Sequence, residues 1–275
     1  MTFHLHLVSD ATGETIHAVT RACLVQFSGV DVKQHVWNLI RNTRQLNLVC
    51  ESMAQHRGLV LYTFVDEELR QQLSAYCKEH KIPSHSLLDP VLDAMHHHFG
   101  VAATHLPGRQ HVLDDAYFQR IEAMDYALAQ DDGQRQQNWN AADVIILGVS
   151  RTSKTPTSLY LANKGIKAAN WPLVPDLPLP DDLPDIVQKK LVVGLTKDAT
   201  RLVEIRRQRL KLLNEADTSY ADIDRVEAEL LFARRLFSRL NIPVIDVTRR
   251  SIEETAAEII TLLTHHHAHA QEKKP

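Results

Sequence analysis

Val144-Ile145-Ile146-Leu147-Gly148-Val149-Ser150-Arg151-Thr152-Ser153-Lys154-Thr155-Pro156 is the stretch on which the fold turns. Its first four residues make a compact apolar run of the kind that forms a strand buried on both faces. Gly148 to Ser153 reads as a loop, and Lys154 to Asn163 as a helix that Gly165 terminates. A buried strand running through a short loop into a helix is the repeating unit of a parallel sheet. At such a junction successive backbone N–H groups converge on a helix N-terminus, which suits a phosphate chain. Lys154 is placed to reach the terminal phosphate and the Thr155 hydroxyl to support a magnesium ion.

Gly148, Val149, Ser150, Arg151, Thr152, Ser153, Lys154 and Thr155 are therefore the candidate nucleotide-binding residues. Ser153 stands where the usual phosphate loop has glycine, and serine tolerates fewer backbone conformations, so the curvature of the loop stays open. Arg151 can neutralise charge developing on a transferring group through its planar fork of donors. Pro156 falls in the first helical turn, where the N–H it lacks has no helical partner. Lys154 is expected to lie exposed at the loop–helix junction. The competing interpretation is a surface turn that happens to be basic.

Outward from this loop, Ala168 to Trp171 reads as a short strand, Pro172 to Pro184 as a proline-rich connection and Leu191 to Leu195 as another strand. Charged helices are expected from about Ala199 to Asn214 and Tyr220 to Arg239, then a strand Val244 to Val247 and a final helix Ser251 to Leu263. Ser251 followed three residues later by Glu254 is a capping box that sets the start of that helix. In the first ninety residues, strands at His4 to Val8, Lys33 to Asn38 and Gly58 to Val65 alternate with helices at Glu14 to Phe27, Thr43 to Gln55 and Glu67 to Lys78. Val91 to Gly133 turns mostly helical and closes on Asp131-Asp132-Gly133, a pattern read as a helix stop and turn. The polar stretch Gln130 to Asn140 is a natural linker. The expected fold is α/β, with two parallel-sheet blocks: an N-terminal domain over residues 1–130 and a P-loop-kinase-like nucleotide-binding domain over residues 141–275.

Carboxylates at the C-terminal ends of strands lie on the side of a parallel sheet where ligands bind. Asp10 and Asp246 both hold such positions, and either could organise magnesium or act as a base. Around Asp10, Ser9-Asp10-Ala11-Thr12-Gly13-Glu14-Thr15 reads equally as a second anion pocket or as an ordinary helix cap. No side chain is assigned as a metal ligand.

The formal net charge of -3 gives no electrostatic reason to expect nucleic acid as a partner. The first ten residues lack the pattern of a secretion signal and no apolar run is long enough to span a bilayer, so a cytoplasmic protein is expected. Cys23, Cys50 and Cys77 are widely spaced and are read as buried, reduced thiols. His265 and His269 have metal-compatible i, i+4 spacing, but the end of the chain reads as a frayed polar tract.

Several motifs taken together carry a family resemblance. They are Val8-Ser9-Asp10-Ala11-Thr12-Gly13-Glu14-Thr15, Arg120-Ile121-Glu122-Ala123 with Asp131-Asp132-Gly133, and Gly148 to Ser158 with Tyr160-Leu161-Ala162. Over nearly the whole chain they resemble the bifunctional kinase and pyrophosphorylase regulators of pyruvate, phosphate dikinase and phosphoenolpyruvate synthase. The resemblance implies phosphorylation of a threonine of the dikinase with ADP as donor, inactivating it. It also implies removal of that phosphate by inorganic phosphate, with release of pyrophosphate. It places the nucleotide loop on Gly148 to Thr155. Lys154, Arg151 and Asp10 are taken as the candidate catalytic residues from their own chemistry, and a homodimer is allowed. Thr152-Ser153-Lys154 and Leu161 to Lys167 look more like the dikinase regulators than the synthase regulators. A small-molecule P-loop kinase or a non-catalytic nucleotide-sensing module are the alternatives of a different class.

Overall fold

The computed structural model describes residues 2–107, 115–131, 139–175, 179–180, 182–213 and 219–272. The chain divides into two compact units, Met1–Val112 and Leu113–Pro275. The first contains strands β1 (Thr2–Ser9), β2 (Asp31–Trp37), β3 (Leu59–Thr63) and β4 (Ser84–Ser86), and helices α1 (Glu14–Leu24), α2 (Thr43–Gln55), α3 (Glu67–Glu79) and α4 (Asp89–Phe99). The second begins with helix α5 (Asp115–Ala129), which packs on α6 (Lys154–Asn163) and β6 (Ala168–Pro172) of its own unit. The remaining elements are β5 (Val144–Gly148), α7 (Leu183–Lys189), β7 (Leu191–Thr196), α8 (Ala199–Leu213), α9 (Ile223–Arg239), β8 (Val244–Asp246) and α10 (Ile252–Glu272).

Each unit holds a four-stranded, all-parallel sheet, ordered β2-β1-β3-β4 in the first and β6-β5-β7-β8 in the second. In both, the first strand lies inside the sheet, and the chain leaves it first toward one edge and then toward the other. The reversal opens a crevice at the carboxyl end of that strand, where ligands bind in open α/β sheets. In the first unit the crevice follows Ser9; in the second it follows Gly148.

The apolar run of β5 is explained by cover on both faces. Ile145 and Leu147 enter a core with Leu202 and Val203 of α8 and Val226, Leu230 and Phe237 of α9. Val144 and Ile146 enter the opposite core with Leu161 of α6 and Ala256 and Ile259 of α10. Alternate side chains of a strand point to opposite faces, so a strand covered twice needs an apolar residue at every position. The first unit is built alike: Val8, Val60 and Tyr62 face α2 and α3, while Leu5 and Leu7 face Ile16 of α1.

Several details depart from the sequence expectations. Helix α10 runs past the expected end at Leu263, through the histidine tract to Glu272; residues 273–275 lie outside the described residues. Cys50 and Cys77 are buried but Cys23 is exposed. The three-residue β4 and the short helix α7 carry too little periodic pattern to be read from sequence. The Ser251 capping box is present in both directions: Ser251 N donates to Glu254 Oε2 at 2.8 Å and Glu254 N to Ser251 Oγ at 3.1 Å. Among the described residues, no helix is long and apolar enough to cross a membrane.

Candidate active site

The loop between β5 and α6 is shaped by close contacts that begin at its first residue. A Cβ on Gly148 would lie 2.6 Å from Thr152 Oγ1 and 2.9 Å from the carbonyl oxygen of Leu195 on β7, so only glycine lets the loop fold back this tightly. Thr152 Oγ1 donates to the carbonyl of Val149 at 2.8 Å and closes the turn. Arg151 and Ser153 adopt φ of 69° and 66°, in the left-handed region. Ser153 is the N-cap of α6 and makes no side-chain cap bond. The loop therefore keeps a glycine-type curvature with a serine in place, and the first-turn N–H groups of α6 have no side-chain cap competing for them.

Lys154 is only 5% exposed, which corrects the expectation of a solvent-facing lysine. Its stem packs inward and its Nζ donates to the Val149 carbonyl at 3.1 Å, holding the ammonium over the loop. Arg151 is exposed at the rim. Together with Ser150, Ser153, Thr155, Pro156, Lys197 and Ile205, these two residues line a cleft of about 270 Å³. The sequence did not single out Lys197. It follows β7, adjacent to β5 in the sheet, and is 7% exposed. Burial pushes its ammonium below the ordinary lysine range; Arg201 pushes the same way and Asp246 opposes.

The loop is braced from behind by residues distant in sequence. Ser150 Oγ and Tyr220 Oη are 2.6 Å apart, and Arg206 Nη2 donates to the Ser150 carbonyl at 3.3 Å. Arg206 is fully buried, pairs with Glu229 at 2.6 Å and lies over the Tyr220 ring. On the other side, Asp131 Oδ1 accepts from the Thr155 hydroxyl at 2.7 Å and from Asn170 Nδ2 at 2.6 Å. Asp131 follows the end of α5 at Ala129 and reaches the loop, a role its sequence context did not show; Asp132 and Gly133 lie outside the described residues.

Asp10 and Asp246 are placed elsewhere. Asp10 belongs to the first unit and is 1% exposed. Its Oδ2 accepts from Val65 N at 2.6 Å and Asp66 N at 2.9 Å, and burial raises its carboxyl against the pull of those amides. It does not cap α1, whose N-cap is Gly13 in the left-handed conformation with no side-chain bond. With Ser9, Gly13, Glu14, Thr15 and Thr63 it lines a cleft of about 170 Å³ at the crevice of the first sheet. Asp246 is exposed, its Oδ1 taken by Thr248 N at 2.8 Å and Thr248 Oγ1 at 2.5 Å, and it does not line the loop cleft.

The family model described as "Kinase/pyrophosphorylase" matches residues 5–260 of this chain. A protein of Paramagnetospirillum magneticum is 53% identical over 265 residues, 96% of this chain and 85% of the relative. One of Rhizorhabdus wittichii is 49% identical over 271 residues, 98% of each chain, and one of Rhodospirillum rubrum is 51% identical over 261 residues, 94% of each. All three carry the provisional name pyruvate, phosphate dikinase regulatory protein.

Proposed function

The chain belongs to the kinase/pyrophosphorylase family, and from that premise we propose that its second unit moves phosphoryl groups between ADP, inorganic phosphate and a threonine hydroxyl of pyruvate, phosphate dikinase. The observation that carries this reading is the cleft at the β5 crevice, where uncapped helix amides, Lys154 and Arg151 face one small volume. In this reading the second unit is a P-loop-kinase-like domain and Gly148 to Thr155 is its nucleotide loop. The names of the relatives favour the dikinase over phosphoenolpyruvate synthase as the client.

In the inactivating direction the threonine oxygen attacks the β-phosphorus of ADP. The bond from that phosphorus to the bridging oxygen breaks, AMP leaves, and the hydroxyl proton passes to a base. In the activating direction an oxygen of inorganic phosphate attacks the phosphothreonine phosphorus. The bond to the threonine oxygen breaks, pyrophosphate leaves, and the threonine oxygen takes a proton. Both transfers gather negative charge around one phosphorus, so fixed donors and cations aimed at that charge supply most of the catalysis. The backbone amides cradle the phosphates, Lys154 swings from the Val149 carbonyl to a phosphate oxygen, and Arg151 closes from the rim.

Magnesium fits beside Thr155. A hydroxyl and the Asp131 carboxylate, 2.7 Å apart, form part of the oxygen set that this ion takes when phosphates supply the rest. Bound there, it would neutralise charge on the phosphate chain. The sequence leaves the proton acceptor open between Asp10 and Asp246. Asp10→Asn keeps an oxygen for the Val65 and Asp66 amides, so lost kcat with unchanged ADP binding would show that the first-unit carboxylate is required.

The test is to incubate the protein with purified pyruvate, phosphate dikinase and β-labelled ADP and to map the label by mass spectrometry. Label on a threonine of the dikinase, absent with the Lys154→Ala variant, is the expected result. Label on a small molecule, or none transferred, contradicts the proposal.

A further inference from the structure

Lys197 is a lysine in a place that ordinarily excludes one. Its side chain is almost wholly buried, yet among the described residues its ammonium makes no hydrogen bond or ion pair. The stem is packed away while the ammonium keeps its little exposure on the cleft it lines, so an anion in that cleft would meet a charge that has few other contacts. The sheet register explains its place there. Gly148 pairs with Leu195 across the parallel β5–β7 ladder, so the chain beyond each strand leaves the sheet side by side. Lys197, two residues past that pair, lines the same cleft as Arg151, Ser153 and Lys154. That cleft already holds the features that attract a phosphate chain. The carboxylate acting on Lys197 is Asp246, which is already committed to Thr248, and Arg201 acts in the opposite sense.

We infer that Lys197 is a third cation of the loop cleft and contacts the phosphate oxygens of the diphosphate held there. The inference rests on Gly148 to Thr155 being the phosphate loop. It adds that a diphosphate is gripped from the β7 side as well as from the loop, which Lys154 and Arg151 alone do not provide. A diphosphate carries more negative charge and reaches farther across the cleft than a single phosphate. Lys197 should therefore favour ADP and pyrophosphate over inorganic phosphate.

Pyrophosphate alone is the probe, titrated by calorimetry into the full-length wild type, Lys197→Met and Lys154→Met. Methionine keeps the apolar stem and removes a charge that makes no hydrogen bond or ion pair within the described residues, so Lys197→Met should melt no lower than wild type. Its affinity for pyrophosphate should fall about 10- to 100-fold, the size of one charge-assisted hydrogen bond. The advantage of wild type over Lys197→Met should shrink as pH rises, and at a lower pH than an exposed lysine would require, because burial favours loss of its proton. Should Lys197→Met fail to fold, Lys197→Gln carries the same test. Pyrophosphate binding as tight in the neutral variant as in wild type overturns the inference. Unchanged binding by Lys154→Met removes the phosphate-loop reading itself, an outcome independent of Lys197.

Discussion

Ser153 occupies a left-handed conformation that glycine adopts freely and serine does not, with a penalty of roughly 1–2 kcal/mol that is partly offset by the greater freedom glycine loses on folding. Ser153→Gly should therefore stabilise the second unit by about 0.5–1 kcal/mol, read as a higher urea midpoint with unchanged slope. An unchanged or lower midpoint would mean that the serine hydroxyl contributes something the backbone angle does not reveal. Lys154→Met should keep the fold, since the stem's apolar volume is preserved, and lose at least about 100-fold in turnover. Asp246 gives a pH signature. The Thr248 hydroxyl, foremost, holds its carboxyl below the usual range, with the Thr248 amide, Arg234 and Arg250 assisting and burial opposing. A depressed carboxyl contributes stability that is present above its unfolded value, near 3.9, and is lost as pH falls through the folded value. The destabilisation caused by Thr248→Val should accordingly be largest near neutrality and shrink on acidification, as melting temperatures across a pH series would show.

Helices α8 and α9 act on the loop without belonging to it. Arg206 from α8 reaches the Ser150 carbonyl, Glu229 from α9 holds Arg206, and Tyr220 between the two helices meets the Ser150 hydroxyl. Glu229→Ala would leave the buried guanidinium without its carboxylate, at a cost of about 3–5 kcal/mol in unfolding free energy. A loss below about 1 kcal/mol would show that the Tyr220 ring and the carbonyls of Ser150 and Tyr220, which both accept from Arg206, suffice. This brace also marks the limit of what the sequence discloses. Gly148, Lys154 and Thr155 announce themselves because a strand, a loop and a helix N-terminus are adjacent in the chain and their spacing is the chemistry. The Ser150 contacts span 56 and 70 residues, and Asp131 reaches Thr155 across 24. No local pattern encodes such pairs, so Asp131 resembled a helix stop, Arg206 one basic residue in a charged helix, and Lys197 an unremarked residue between a strand and a helix. The long strands and helices were legible from their periodicity, and the capping box from its spacing, whereas β4 and α7 are too short to show one.

On the scale of the molecule, two sheets with the same strand order each open a crevice at the carboxyl end of the inner strand, and only the second is lined by Lys154, Arg151 and Lys197. If that one cleft serves both directions, ADP and inorganic phosphate must exclude each other, and Arg151→Ala must slow both reactions. Competition kinetics with the purified dikinase would show mutually raised KM values. Uncompetitive patterns, or an Arg151→Ala variant slowed in one direction alone, would indicate two separate sites. The most direct measurement follows the reverse reaction on phosphothreonine-bearing dikinase, counting pyrophosphate formed against phosphothreonine lost. A shared phosphoryl-transfer site predicts one pyrophosphate for each phosphothreonine, with none formed by Lys154→Ala; release of free phosphate in its place would show hydrolysis and contradict the account.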